Sequence, residues 1–278
     1  MTDSEVRDRK NPGKIQANPN RAAFGAPGRQ PDGNAGNNRT SSLGRLATSN
    51  AVRRQRKVWG RRVNSWDHHA PSGLEKVTAA VIAAAGARPG DRIVDLGCGT
   101  GQLSLPLAEC GAQVLAVDVS PQMVDRLRAN ARDRGLPGIE ALALPIENLS
   151  LPPGRVDLVV TSYAFHHLRD ADKSRVVSAA SQWLRPGGRL IVADMMFGRG
   201  GTSQDRAIIK SKVSALARKG IGGWWRIAKN SYRYLVRAQE RPVSVAAWTS
   251  MFTAAGLTGV TATPVVAEAS MVIGERPA

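Results

Sequence analysis

Ile93-Val94-Asp95-Leu96-Gly97-Cys98-Gly99-Thr100-Gly101 sets the fold of this chain. A short apolar run ends in alternating glycines, and the pattern then turns helical toward Cys110. Glycines are needed where a strand must turn tightly into a helix and let its backbone approach a ligand with no Cβ in the way. Seventeen residues beyond Gly101 stands Asp118, at the end of the next apolar run. A carboxylate there can accept hydrogen bonds from both hydroxyls of a ribose. A dinucleotide fingerprint, G-x-G-x-x-G, would need glycine at position 102, which is Gln102. The chain carries G-x-G-x-G instead, with Asp95 just before it, a charge that would repel a pyrophosphate.

Working outward, helical and strand patterns alternate. Residues 74–85 form an Ala/Val/Ile-rich helix that stops at Gly86, and helices are predicted at 120–134 and 171–184. Strands are predicted at 92–96, 114–118, 139–144, 156–161 and 189–194. Alternation of this kind means βαβ units around a buried parallel sheet, an α/β, Rossmann-like, doubly wound fold. Strands at 259–264 and 268–274 leave no room for a crossover and must pair as a hairpin. Upstream, a helix begins near Val52 with Trp59, Val63 and Trp66 about one turn apart, and Asp67 to Pro71 breaks it. Residues 1–50, rich in Gly, Pro and Asn, are predicted to be a disordered basic tail, because they cannot bury enough surface to offset their ordering entropy. The folded domain is then 51–278, with a helical lid inserted at 196–257.

Composition narrows the class. The apolar fraction of 42% permits a real core, and two cysteines, Cys98 and Cys110, argue against a disulfide framework or a cysteine-built zinc site. No ligand spacing points to a metal. No charged start precedes an apolar run and no apolar run could span a bilayer, so a cytoplasmic protein is expected. The net charge of +17 is uneven: residues 1–62 carry +10, residues 204–237 carry +8, and the remainder carries −1.

VDLGCGTG at 94–101, AVDVSPQMV at 116–124, RVDLVVTSYAFHHL at 155–168 and LRPGGRLIVADM at 184–195 resemble the class I S-adenosylmethionine-dependent methyltransferases, in their small-molecule, type 11-like branch. The resemblance spans roughly 55–278 and implies a seven-stranded sheet whose last strand is antiparallel. It implies S-adenosylmethionine as cofactor, with Asp95 and Gly97 at the methionine amino group and Gly99 and Gly101 letting the backbone pass close. Asp118 would bind the ribose and Met123 would pack on adenine. Where the family usually has an Asp-Ala pair, this chain has Pro145-Ile146. The backbone N–H of Ile146 remains to meet adenine, and Glu147 is a candidate for the missing acid. Cys98 is a small packing residue within the loop.

The segment after the fourth strand, Thr161-Ser162-Tyr163-Ala164-Phe165-His166-His167, should face the methyl group, because ligands of open α/β sheets lie beyond the carboxyl ends of the strands. Thr161 is therefore a cofactor-site candidate. His166 and His167 are candidate bases, since a neutral imidazole takes up a proton near neutral pH. They are equally candidates for capping the next helix. Tyr163 is a candidate for orienting the acceptor. The Asn/Asp-Pro-Pro-aromatic motif of amino-methylating enzymes and the cysteine nucleophile of cytosine-C5 enzymes are both missing, which argues against nucleic acid as the partner.

The insertion adds Ile208, Ile209, Val213 and Leu216 on one helical face among Lys210, Lys212, Arg218 and Lys219, then Trp224-Trp225. This fits a solvated lid, a pocket for an anionic substrate or weak association with an acidic membrane surface, or nucleic-acid binding by aromatics that stack among cations. The function expected is transfer of a methyl group to O, N or C of a small, apolar or anionic molecule such as a quinone, polyketide or lipid precursor. An RNA methyltransferase and a non-catalytic S-adenosylmethionine-binding protein are the alternatives. Oligomeric state is not legible.

Overall fold

The computed structural model describes residue 24, residues 28–29, 41–63, 73–197, 206, 210, 214 and 241–278. Among the described residues, two helices precede the sheet, α1 (Ser41–Gly60) and α2 (Leu74–Ala85). Five parallel strands follow with their helices: β1 (Arg92–Leu96), α3 (Ser104–Glu109), β2 (Gln113–Asp118), α4 (Pro121–Asp133), β3 (Ile139–Ala143), β4 (Val156–Ser162), α5 (Asp170–Trp183) and β5 (Leu184–Met195). Helix α6 (Val245–Ala254) leads into the hairpin of β6 (Thr258–Val266) and β7 (Ala269–Glu275). The seven strands lie in the order β3-β2-β1-β4-β5-β7-β6, and β7 runs antiparallel to both neighbours. The doubly wound, mostly parallel sheet with its C-terminal hairpin is thus as the sequence implies.

Alternation along the strands divides the core in two. Val94, Leu96, Leu115, Val117, Val159 and Val192 face α5 and α6, where Val177, Trp183, Trp248 and Phe252 meet them. Ile93, Val114, Ala116, Leu158, Val160 and Ile191 face the other way, onto Val77, Val81, Leu107, Val124 and Leu127. A sheet covered on both faces needs unbroken apolar strands rather than alternating ones, which is why 93–96, 114–117 and 158–160 read as solid runs. Helix α2 buries Leu74, Val77, Val81 and Ala85, spaced by three and four residues, and closes on left-handed Gly86, whose N–H donates to Ile82 O. Helix α4 is capped by Ser120, with Pro121 in its first turn.

Three expectations are corrected. Helix α1 begins at Ser41, inside the segment predicted to be disordered. Within that same segment, Phe24 is 1% exposed among Ile146, Leu149, Leu151 and Phe165, and Gly28–Arg29 pair antiparallel with Leu149–Ser150. A count of Gly, Pro and Asn registers the cost of ordering that stretch but not a single aromatic side chain that finds a slot in the core. Both ends of the stretch 196–257, expected to be a lid, lie in the core. Met196, Phe197, Val243, Trp248, Phe252 and Leu257 are buried in the core, so α6 belongs to the scaffold. Ile208, Ile209, Val213, Leu216 and Trp224-Trp225 lie outside the described residues, as does most of the tail. Finally, β5 starts at Leu184, paired with Val156, ahead of the Pro186-Gly187-Gly188 irregularity rather than after it.

If Phe24 holds its slot, Phe24→Ala should lower the free energy of unfolding by about 3–5 kcal/mol, the usual cost of emptying an aromatic core site. A urea titration checks it, and an unchanged midpoint would place the ring in water.

Candidate functional site

The carboxyl ends of β1, β2 and β4 meet around one cleft. It encloses about 700 Å³ counted out to its mouth and is lined by Gly97, Gly99, Asp118, Met123, Ile146, Tyr163 and His167 among others. Its floor is the glycine loop. Gly97 has φ +80°, and a Cβ there would lie 2.3 Å from Ala164 Cβ, so only glycine lets the loop and the β4 turn pass each other. Gly97 N–H and Cys98 N–H both donate to Val117 O at 2.7 and 3.1 Å, which fastens the loop to the end of β2. Asp118 adds a second fastening: Oδ2 accepts from Gly99 N–H at 3.1 Å and Oδ1 from Ser120 N–H at 2.8 Å. A carboxylate offers about four lone-pair directions. Two are used, and each oxygen retains one for a ligand in the cleft.

Helix α1 forms the opposing wall through Gln55 and Trp59. Trp59 meets the His167 ring edge-on at 5.2 Å, and Gln55 Nε2 donates to His167 O at 3.4 Å. On the β4 side, Ser162 Oγ and Tyr163 OH are buried with no hydrogen-bond partner among the described residues. Tyr163 also has φ +50°, the one left-handed residue other than glycine that is described. Such strain persists where surrounding structure imposes it, and it clusters at functional sites. Burial, then the nearby Glu268 and Asp194 carboxylates, push the Tyr163 phenol up to about 12, so it stays a donor at neutral pH.

The two histidines separate. His167 lines the cleft, whereas His166 is 6% exposed and stands behind it, with ring centroids 3.9 Å apart. His166 Nδ1 lies 2.6 Å from Asp194 Oδ1, and His166 N–H donates to Asp194 Oδ2 at 2.9 Å. Burial works to raise the Asp194 carboxyl, but the facing His166 ring and the N–H donors of Met195 and His166 win and hold it below its ordinary value. An ionised carboxylate cannot donate, so Nδ1 carries the proton and Nε2 is left as the basic nitrogen. The same turn is clamped from outside. Arg241 N–H donates to His166 O at 2.6 Å, and Arg241 O accepts from the fully buried Lys173 ammonium at 2.7 Å, which also reaches Leu168 O at 2.9 Å.

Besides His166, three sequence candidates lie off the cleft. Thr161 is fully buried and donates from Oγ1 to Leu96 O at 2.7 Å, joining β4 to β1. Gly101 packs under the loop, where a Cβ would sit 2.5 Å from Leu127 Cδ1. Asp95 is 1% exposed and accepts from Ser104 Oγ at 2.5 Å. Burial raises Asp95 to about 7, with the Ser104 hydroxyl opposing and the Asp118 charge adding to the rise. Asp118 is itself raised, by burial first, against the two N–H donors that hold it. Burial, and then Asp118 and Asp95, also push the Cys98 thiol up, which keeps it a protonated packing group. Glu147 does line the cleft, and burial raises it. Sequence reasoning did not single out Asp194, Gln55 or Trp59, while Ser162 lay within the segment expected to face the methyl group. Of these, only Asp194 had a local signal, as an acid at the carboxyl end of an apolar strand.

The cleft fits a cationic, ribose-bearing cofactor. It has an acid with free acceptor directions, a glycine floor and two partnerless hydroxyls, and no Lys or Arg is among its lining residues. Among the described residues, no group of three His, Cys, Asp or Glu could hold a metal ion.

Comparison with known proteins agrees. Residues 93–188 match the family model described as a methyltransferase domain. The chain is 34% identical over 128 residues to an uncharacterized methyltransferase of Geobacillus kaustophilus, covering 45% of this chain and 55% of that protein. It is 31% identical over 135 residues to a ubiquinone biosynthesis O-methyltransferase of Xanthomonas campestris pv. campestris, covering 47% and 55%. The chain thus spans about half the length of the curated relatives it matches. The crystal structure of the 1,6-didemethyltoxoflavin-N1-methyltransferase of Burkholderia thailandensis superposes with a TM-score of 0.56 at 18% identity, over 88% of this chain and 93% of that one, a likeness of fold. Residues 93–188 are thus similar to a methyltransferase domain, and the strand order, with its antiparallel last strand, is the Rossmann-like arrangement that the resemblance implies.

Proposed function

We propose that this protein moves the methyl group of S-adenosylmethionine to a nucleophilic atom of a small organic acceptor in the cleft between α1 and the β4 turn. The observation that carries this is the Asp118 carboxylate, fixed by Gly99 and Ser120 N–H groups yet keeping an acceptor direction on each oxygen beside the glycine floor. Bound there, the cofactor supplies an electrophilic methyl on a sulfonium and a thioether leaving group. Everything else falls to the chain. Asp118 takes the two ribose hydroxyls, Gly97 and Gly99 give the backbone approach, and Met123 and Ile146 flank the adenine. Gln55 and Trp59 close the cleft and exclude water, which strengthens every polar contact within it. Asp95 acts from beneath, bracing the loop through Ser104 rather than reaching the cofactor directly.

On the acceptor side, Tyr163 and His167 are the groups that orient the acceptor, and His166 is the proton store. Its Nδ1–H is committed to Asp194, so a proton released by the acceptor can be held at Nε2 and balanced by the buried carboxylate. Positioning and desolvation then supply most of the rate, because the leaving group is already good. The Xanthomonas relative is an O-methyltransferase and the Burkholderia neighbour an N-methyltransferase. Both names point to small molecules, and a quinone-like or lipid-like acceptor suits the aromatic wall of Trp59 and His167.

Asp118→Ala should weaken binding of S-adenosylhomocysteine by about 1–3 kcal/mol, the cost of lost charge-assisted hydrogen bonds, as read by calorimetry. Tight binding of NAD with no heat from S-adenosylhomocysteine would sink the proposal. With an acceptor found by screening, Asp194→Asn should keep cofactor affinity and lose on the order of 10²–10⁴-fold in turnover. Asp95 yields a pH test. Its folded value of about 7 lies above that of an unfolded carboxyl, so the folded state holds the extra proton between the two. Stability should therefore fall as pH rises from the ordinary carboxyl range toward 7 and level off above it. Asp95→Asn should flatten that slope in urea titrations, and a slope that persists unaltered would assign it to another group.

A further inference from the structure

Helix α1 has two chemically opposite sides. Gln55 and Trp59 line the cleft and Val63, just beyond the helix, is buried. At about 100° per residue, Arg53, Arg54 and Lys57 share an arc of roughly 100° on the other side, and Arg61 continues it one turn on. All four are exposed. None of these side chains hydrogen-bonds or pairs with another of the described residues. Residues 41–63 contain no Asp or Glu, so no carboxylate is in helical reach. The scaffold treats guanidinium groups differently: Arg92, Arg128, Arg134, Arg169, Arg175 and Arg185 each meet a carboxylate. Like charges one turn apart, such as Arg53 with Lys57, weaken a helix. The stripe is therefore unfavourable in the protein alone and would be relieved by an anionic partner.

We propose that this stripe is an electrostatic docking face for an acidic phospholipid surface. Single-stranded nucleic acid binding combines cations with exposed aromatic rings on which bases stack. The aromatic residue of α1, Trp59, is turned to the cleft instead. A straight row of guanidinium and ammonium groups needs no shaped partner, only a plane of phosphates, and guanidinium forks suit phosphate oxygens. Between Arg53 and Arg61 the face carries no apolar side chain, so contact along it is adsorption rather than insertion, and no helix among the described residues could cross a bilayer. The helix would then stand between the lipid surface and the cleft. The proposal goes beyond the methyl-transfer reading and does not depend on it.

The test is co-sedimentation of the full chain with vesicles of phosphatidylcholine alone or mixed with phosphatidylglycerol, at low and high salt, beside a gel shift with polyuridylate. The chain should pellet only with the acidic vesicles, and less at high salt. Combining Arg53→Gln, Arg54→Gln and Lys57→Gln should weaken vesicle partitioning on the order of 100-fold, at about fivefold per cation near an acidic surface. The heat of S-adenosylhomocysteine binding should be unchanged in that variant, which shows that the cleft is intact. Should the original chain give no such heat, the methyl-transfer reading fails while the vesicle result stands. Vesicle binding unchanged in the triple variant would assign the effect to other basic segments and overturn the proposal. So would no pelleting at low salt, or binding to polyuridylate in place of acidic vesicles.

Discussion

The site depends on the junction between the glycine loop and the end of β2. Gly97 and Cys98 N–H groups converge on Val117 O, and Asp118 reaches back to Gly99 N–H and forward to Ser120 N–H. One short stretch of chain therefore sets the loop's height, starts α4, and orients the cleft-facing acid Asp118. The junction is tight enough that Gly97 tolerates no Cβ against Ala164, which ties the β4 turn into the same unit. Tyr163 pays for that closeness with a left-handed backbone.

Charge is sorted by depth. Asp95, Asp118 and Asp194 are buried at or near the carboxyl ends of three strands, and each is managed differently. Asp95 is pushed up toward neutrality by burial with one hydroxyl as its donor, Asp118 is raised but steadied by two N–H groups, and Asp194 is held low by His166. Burial is common to all three, so the partners decide the outcome. Among the described residues, Lys173 is the one Lys or Arg that is buried, its ammonium with Leu168 O, Asp170 Oδ1 and Arg241 O around it.

The sheet was legible because a parallel core demands solid apolar runs, and those at 93–96, 114–117 and 158–160 admit few other readings. That Gly97, Gly99, Asp118, Met123 and Ile146 would share one cleft was legible because loop and acid follow a short local pattern. Thr161 and Asp95 were placed by neighbourhood alone, and strand alternation together with local hydrogen bonding turned them to Leu96 O and Ser104. The Asp194–His166 pair spans 28 positions, and Gln55 reaches His167 across 112. Nothing in the residue types at either end announces such long-range meetings. Phe24 escaped for the same reason, since a lone ring in a polar stretch carries no periodicity.

The clamp at Arg241 has a consequence for how such a protein can be re-engineered. Met196 and Phe197 are buried, with Met196 N–H held by Glu268 O, and Arg241 is pinned by His166 and Lys173. These fastenings join groups that all lie outside 198–240. They mark where a different connecting sequence would be spliced so that both ends keep them. Two peptide groups, rather than the whole insertion, define where a transplant must begin and end.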